Sequence, residues 1–99
     1  MNPFLKFLKG IGGERSKIDE RRRLYRLGRD EYKYCDGDHC LLLQIDMLKG
    51  QPNRLIYSST IETWLPPHDS EPIDSSQRRE IADRIGRFLE ENGDVVEVR

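Results

Sequence analysis

One amphipathic helix near the carboxyl end constrains the fold most strongly, in the stretch "IDSSQRREIADRIGRFLEENG" at residues 73–93. Asp74 can cap its first turn, and Gln77, three residues later, can complete a capping box. The apolar side chains recur at helical spacing and form a single stripe, made of Ile81, Ile85, Phe88 and Leu89. A helix with one apolar stripe buries that stripe against a second layer. The rest of the chain must therefore supply that layer.

Small residues indicate how this helix packs and where it ends. Ala82 and Gly86 lie four residues apart, so they share one helix face and allow close approach to a sheet. Gly93 follows the apolar stripe and can adopt the left-handed conformation that ends many helices. The run "VVEV" at residues 95–98 then predicts one more strand.

The residues before the helix predict a β-meander. Three strand-like runs are separated by turn sequences, at residues 30–35, 39–47 and 54–64. Gly37 in "DGD" accepts a positive φ, and "KGQPN" supplies the second turn. The third run is mixed around Ser58 and Ser59, where a bulge or bend is expected. Pro66 and Pro67 end it, because neither can donate to a strand ladder.

The predicted element order is therefore β-β-β-α-β, an α+β fold. It gives a small, mostly antiparallel sheet with one C-terminal helix packed on one face and a final strand. Residues 30–99 form this single domain. A charged connector is expected at residues 14–29, where "LYRL" indicates that the first strand begins. An amphipathic segment is expected at residues 1–13, with Phe4, Leu8 and Ile11 at the spacing of a short helix.

Charge is distributed unevenly along the chain. Residues 1–34 carry ten Lys/Arg and five Asp/Glu, whereas residues 35–99 carry seven and thirteen. The acidic part holds the fold signals, so a basic partner surface suits it better than a nucleic-acid backbone. Simple solubility is the alternative explanation. Arg21, Arg22 and Arg23 resemble a nucleic-acid patch, but the neighbouring carboxylates, Asp19 among them, neutralise much of their field.

The cysteine content and the hydropathy bear on the compartment. Two cysteines, Cys35 and Cys40, are too few for a disulfide framework. The start "MNPFLKFLKGIGG" is broken by lysines and does not resemble a secretory signal, and no run approaches the ~20 apolar residues of a membrane span. We therefore expect a cytoplasmic protein with reduced thiols and no membrane partner.

Residues with catalytic or metal-binding chemistry are few. The "DGD" turn is flanked by Cys35, His39 and Cys40, and with His68 these are the candidate ligands of a metal site. Their spacing matches no structural zinc pattern. A Cys40–His68 nucleophile pair lacks an orienting carboxylate and an oxyanion loop. The sequence therefore predicts no enzyme, no metal and no cofactor.

Tyrosines raise the alternative of RNA binding. Tyr32, Tyr34 and Tyr57 could stack bases on one face of a small sheet. The known modules of this kind combine aromatic residues with a basic sheet, whereas residues 35–99 are acidic. A nucleic-acid partner is therefore the less favoured prediction.

Three stretches carry a family resemblance: "IYSSTIETWLPP", the acidic loop "HDSEPI" and the helix ending in "ENGDVVEV". With them, the run from Tyr32 to Val98 resembles a family of small α+β immunity proteins of bacterial polymorphic toxin systems. The chain departs from that pattern at Asp46, where a glutamate is expected near the end of the second strand. The resemblance implies a protein that binds and blocks a cognate toxin and performs no chemistry of its own.

Trp64, the only tryptophan, has two interpretations. Either it ends the third strand and covers the sheet edge, or it forms an aromatic anchor for a partner with an acidic rim. On the second interpretation the predicted partner-binding residues are Tyr57, Ser59, Glu62, Trp64, Pro66, Pro67, His68 and Asp69. The predicted partner is a cognate toxin with a basic surface. A different protein–protein interaction module, a nucleic-acid-associated regulator and a homodimer are the alternatives.

Overall fold

A computed structural model describes residues 15–99, so the predicted amphipathic segment at residues 1–13 lies outside the described residues. The described chain forms one sheet and one α-helix, α1 (Ser75–Glu91). The six strands are β1 (Arg15–Lys17), β2 (Arg22–Arg26), β3 (Glu31–Asp36), β4 (His39–Met47), β5 (Arg54–Tyr57) and β6 (Val96–Val98). A single turn of 3₁₀ helix (Ser58–Thr60) follows β5. Within residues 15–99, no helix is both long enough and apolar enough to cross a membrane.

The strands lie in the sheet in chain order, from β1 to β6. Each neighbouring pair is antiparallel except β5 and β6, which are parallel because α1 returns the chain to the same end of the sheet before β6 begins. The predicted α+β class, with a mostly antiparallel sheet, one C-terminal helix and a final strand, is confirmed. The sequence predicted four strands, and β1 and β2 add two within residues 14–29.

Helix α1 begins and ends as its sequence predicts. The Asp74 carboxylate accepts a hydrogen bond from the backbone N–H of Gln77, and the Gln77 side chain accepts one from the backbone N–H of Asp74, which completes the capping box. Gly93 has a φ of 97° just beyond the helix. An ideal Cβ at Gly86 would lie 3.5 Å from side-chain atoms of both Val96 and Val98, so the helix packs closely on the sheet at this glycine.

The core lies between α1 and one face of the sheet, here called the helix face. Its fully buried large side chains are Tyr34, Leu41, Ile45, Ile56, Ile61 and Ile85. In β4 the residues that alternate with the core leucines, Leu42 and Gln44, are exposed on the opposite face, here called the open face. No helix of residues 15–99 packs on the open face.

The third predicted strand, residues 54–64, is shorter than expected, because β5 ends at Tyr57. The cause is a threonine hydroxyl. Thr60 Oγ1 donates to the Tyr57 carbonyl oxygen at 2.6 Å and accepts from the Gln44 backbone N–H at 3.0 Å. This side chain takes two backbone groups that strand pairing would otherwise use, so the chain turns into a 3₁₀ helix there. The expected bulge at Ser58 and Ser59 is therefore the end of the strand.

Candidate functional site

Trp64 lies on the helix face and belongs to the core. Its side chain is only 9% exposed and packs in the cluster that contains Ile73 and Ile81. The backbone N–H of Leu65 donates to the carbonyl oxygen of Cys40 at 2.7 Å, which holds this segment beside the first residues of β4. The indole is thus fixed between the sheet and the start of α1, where it contributes to packing.

The other predicted partner-binding residues divide between exposed and half-buried positions. Five side chains are exposed: Ser59, Glu62, Pro66, Pro67 and Asp69. Tyr57 is half-buried on the open face, where its hydroxyl donates to Asp46 Oδ2 at 3.1 Å. Burial and the nearby Asp46 carboxylate raise the pKa of Tyr57. Tyr57 and Trp64 therefore lie on opposite faces of the sheet, and the structure does not bring them together.

The tyrosines do not form one stacking platform. Tyr32 and Tyr34 point into the core on the helix face and are buried, whereas Tyr57 lies on the open face. Arg84 donates to the Tyr34 hydroxyl at 3.1 Å, and burial raises the pKa of Tyr34. The hypothesis that the three tyrosines share one face of the sheet, as stacking of RNA bases would need, is therefore wrong.

The arginine run of β2 is paired within the chain. Arg22 contacts Asp19 at 2.8 Å and Asp36 at 3.3 Å, and Arg21 also contacts Asp36. The Arg22 side chain and the N–H of Arg21 hold the pKa of Asp19 at about 2. Arg23 donates to backbone carbonyl oxygens of Asp19 and Arg22. The sequence anticipated the role of Asp19, whereas Asp36 contributes only because β3 pairs with β2.

Cys35 and Cys40 are bonded to one another. The two-residue turn at Gly37 and Asp38 sets the register of the β3–β4 hairpin, and this register places the two cysteines directly opposite each other. The expectation of reduced thiols is therefore wrong. The bonded sulfur atoms can act neither as metal ligands nor as the nucleophile of a Cys40–His68 pair. Disulfides are typical of oxidising compartments and rare in the cytosol, so the disulfide does not support the expected cytoplasmic location. That location stays a prediction.

Four ionisable side chains meet at the end of the sheet next to Trp64: Asp38, His39, His68 and Glu71. We call them the histidine cluster. The two imidazole rings are stacked with their centroids 3.6 Å apart, and the His39 ring meets the Trp64 ring edge-on at 5.2 Å. His39 and His68 are only 26% and 20% exposed, so both rings are largely enclosed.

Each imidazole of the histidine cluster lies between the same two carboxylates. Glu71 is 3.0 Å from His39 Nε2 and 2.9 Å from His68 Nδ1. Asp38 is 2.9 Å from His39 Nδ1 and 3.5 Å from His68 Nε2. Glu71 and then Asp38 raise the pKa of His39, and the histidines lower the pKa values of both carboxylates. Sequence reasoning considered both histidines and missed Glu71.

A shallow groove of about 420 Å³ lies beside the 3₁₀ turn. It is lined by Asp30, Glu31, Leu42, Leu43, Gln44 and Thr60. Leu42 is one of the exposed large apolar side chains, and Glu31 is also exposed. We call this feature the acidic groove. It combines an apolar contact with two carboxylates, next to the exposed residues Ser59 and Glu62.

The fold and these contacts define a class, a small two-layer α+β domain whose open face carries no helix in residues 15–99. Comparison with known families identifies the chain more narrowly, because the model of the family described as Immunity protein 74 matches residues 26–99. The match covers most of the chain, so the chain belongs to the Immunity protein 74 family. The resemblance predicted from the sequence is thereby confirmed. No curated protein and no solved structure matched the chain.

Proposed function

We propose that this protein binds a cognate bacterial toxin and neutralises it through a protein–protein interface, without catalysing a reaction. Membership of the Immunity protein 74 family is the observation that carries the proposal. The disulfide supports a non-enzymatic role, because it removes Cys40 as a nucleophile for His68 to activate.

The toxin-binding surface that we propose is the acidic groove together with the exposed residues of the segment 59–69. The segment begins at the groove and runs along β4, since the Thr60 side chain lines the groove and accepts from Gln44, and the Leu65 N–H donates to Cys40. The exposed Leu42 supplies apolar area, and Glu31 and Glu62 supply charge. An apolar centre with a polar rim is the usual anatomy of a protein interface.

The buried position of Trp64 changes which residues we expect to touch the toxin. Of the eight residues predicted from sequence, Ser59, Glu62, Pro66, Pro67 and Asp69 are exposed and available. Tyr57 offers its half-buried ring and hydroxyl from the open face, and His68 offers one edge of its ring. Trp64 then acts indirectly, by holding the segment that carries the exposed residues.

A basic toxin surface fits this assignment. Carboxylates around a contact site steer a positively charged partner and raise its association rate, and added salt screens that attraction. We therefore expect the association rate to fall as ionic strength rises. A toxin that acts on nucleic acid would carry such a basic surface at its own active site.

Charge reversal tests the surface. Glu31→Lys and Glu62→Lys should each slow association with the cognate toxin domain, and the double variant should slow it further. Glu90→Lys is the matched control, since Glu90 is exposed on α1 away from the acidic groove. Binding kinetics measured at low and moderate salt separate the outcomes. Equal rates for the double variant and the control would contradict the proposed surface, and absence of binding by the unmodified protein would contradict the function.

A further inference from the structure

The histidine cluster joins two loops that are distant in the sequence. Asp38 lies in the turn between β3 and β4 and His39 begins β4, whereas His68 and Glu71 come from the loop that precedes α1. Two imidazoles and two carboxylates at one place are a ligand set typical of zinc and similar divalent metals. The cluster contributes nothing to the toxin-binding surface proposed above apart from the edge of His68, so its chemistry is a separate question.

Glu71 contacts one nitrogen of each ring. An ionised carboxylate only accepts hydrogen bonds, and Glu71 lies within 3.0 Å of His39 Nε2 and within 2.9 Å of His68 Nδ1. With protons on these nitrogens, both rings donate to Glu71, His39 through Nε2–H and His68 through Nδ1–H. The nitrogens then left to bind a metal are His39 Nδ1 and His68 Nε2.

Both of these nitrogens face the same carboxylate. Asp38 lies 2.9 Å from His39 Nδ1 and 3.5 Å from His68 Nε2. One ligand atom from each of the three residues lies within 4.8 Å of the others. A metal ion between these three groups would take the place of a proton that a ring nitrogen shares with Asp38. A carboxylate that accepts from the outer N–H of ligating histidines is the usual support of a metal site, and Glu71 holds that position for both rings.

We propose that Asp38, His39 and His68 form a binding site for a divalent transition metal such as Zn²⁺, with Glu71 as the positioning carboxylate. Ligand atoms on a tetrahedral zinc ion lie about 3.3 Å apart when the bonds are about 2.0–2.1 Å long. The Asp38 carboxylate lies at similar distances from His39 Nδ1, 2.9 Å, and from His68 Nε2, 3.5 Å. Each nitrogen must point at the ion within its ring plane, so the stacked rings open into a wedge when the metal binds. Three protein ligands leave a fourth position for water or for a side chain of a partner.

The metal would tie the loop at residues 66–71 to the β3–β4 hairpin. This loop carries Pro66, Pro67 and Asp69, which are exposed. Binding a metal to the folded chain alone stabilises that chain by mass action. The site therefore predicts a zinc-dependent rise in melting temperature that does not need a toxin to be present. A chain that binds no zinc can thus be distinguished from a chain that binds no toxin.

The test is calorimetric titration of the full, chelator-treated chain with Zn²⁺ alone at neutral pH. We expect one strong site per chain and a rise in melting temperature on zinc addition. His68→Ala and His39→Gln should each abolish that site, and Glu71→Gln should weaken binding by about 10–100-fold. Asp69→Asn is the matched control, because it removes a carboxylate from the same loop without touching the cluster, and it should bind zinc like the unmodified chain.

Two further readouts separate a metal site from a merely structural role. Long-range proton–nitrogen spectra of the zinc-bound chain should show a proton on His39 Nε2 and on His68 Nδ1, the nitrogens that contact Glu71. Titration with Co²⁺ should give visible absorption bands of a low-coordinate ion, lost in His68→Ala and altered in Glu71→Gln. No zinc binding at millimolar concentration, or equal binding by His68→Ala and the unmodified chain, would overturn the proposal.

Discussion

Replacing Trp64 by alanine should destabilise the fold strongly. The indole is 9% exposed and packs with Ile73 and Ile81, so the change removes a large buried ring from the core. Substitutions of this type cost about 3–5 kcal/mol. A chain of this length has a total stability of roughly 5–15 kcal/mol, so the loss is a large fraction of it. At about 4–8 °C for each kcal/mol, the melting temperature should fall by at least about 12 °C.

The assay must avoid tryptophan fluorescence, because Trp64 is the only tryptophan. Urea unfolding followed by far-ultraviolet circular dichroism gives the free energy of unfolding for each variant. Trp64→Phe retains an aromatic ring beside His39 and should lose much less stability than the alanine variant. Thr63→Ala is the control, since Thr63 is the exposed neighbour and surface changes usually stay within about 0.5 kcal/mol. If Trp64→Ala unfolded at the same urea concentration as Thr63→Ala but no longer bound its partner, the core assignment would be refuted.

Two further predictions concern α1 and the arginine run. Gly86→Ala should raise the free energy of unfolding by about 0.5–1 kcal/mol, because alanine favours the helix over glycine. The added methyl group would lie at an ordinary contact distance of 3.5 Å from Val96 and Val98. A loss of stability in the same urea assay would show that the helix has no room for a methyl group at this position. The stabilisation that Asp19 provides should be complete above its ordinary pKa of 3.8 and should disappear as the pH falls through about 2, since its folded-state pKa is lowered. The measurement compares the unfolding free energies of the unmodified chain and Asp19→Asn from neutral pH downward. Their difference should shrink below pH 3.8. A difference that stayed constant to pH 2 would contradict the pairing of Asp19 with Arg22.

Helix α1 was predictable because its signals are local. The Asp74 cap, the Gln77 side chain and the apolar stripe act within a few residues of one another, so no other part of the chain is needed to recognise them. The β3–β4 hairpin was predictable for the same reason, since the alternating leucines and Gly37 mark it. The two-residue turn would also have placed Cys35 opposite Cys40, which is the signal for the disulfide.

The "LYRL" run indicated a strand within residues 14–29, but the separate strands β1 and β2 could not be recognised from local pattern. In β2 only Leu24 is buried, and Arg22, two residues before it, contacts Asp36 of a different strand. The early end of β5 depends on Thr60, whose hydroxyl bonds to a residue of β4. Both features come from contacts between separate segments, which a run of sequence letters does not display.

The histidine cluster was hidden for a related reason. His39 and Glu71 are 32 residues apart and meet only because the loop before α1 folds back over the β3–β4 turn. His68 and Glu71 are close in sequence, but a histidine and a glutamate three residues apart in a loop are common and predict no site. The exposed residues of segment 59–69 that we propose bind the partner could be named from the sequence, whereas the burial of Trp64 required the fold.

Stoichiometric neutralisation of the toxin tests the central claim most directly. The cognate toxin domain should be purified alone, and its activity measured while this protein is added in increasing amounts. The account predicts that activity falls linearly to zero at a fixed molar ratio, that a complex of that stoichiometry elutes as one species, and that Glu31→Lys with Glu62→Lys weakens the inhibition. Full toxin activity in the presence of excess folded protein would contradict it.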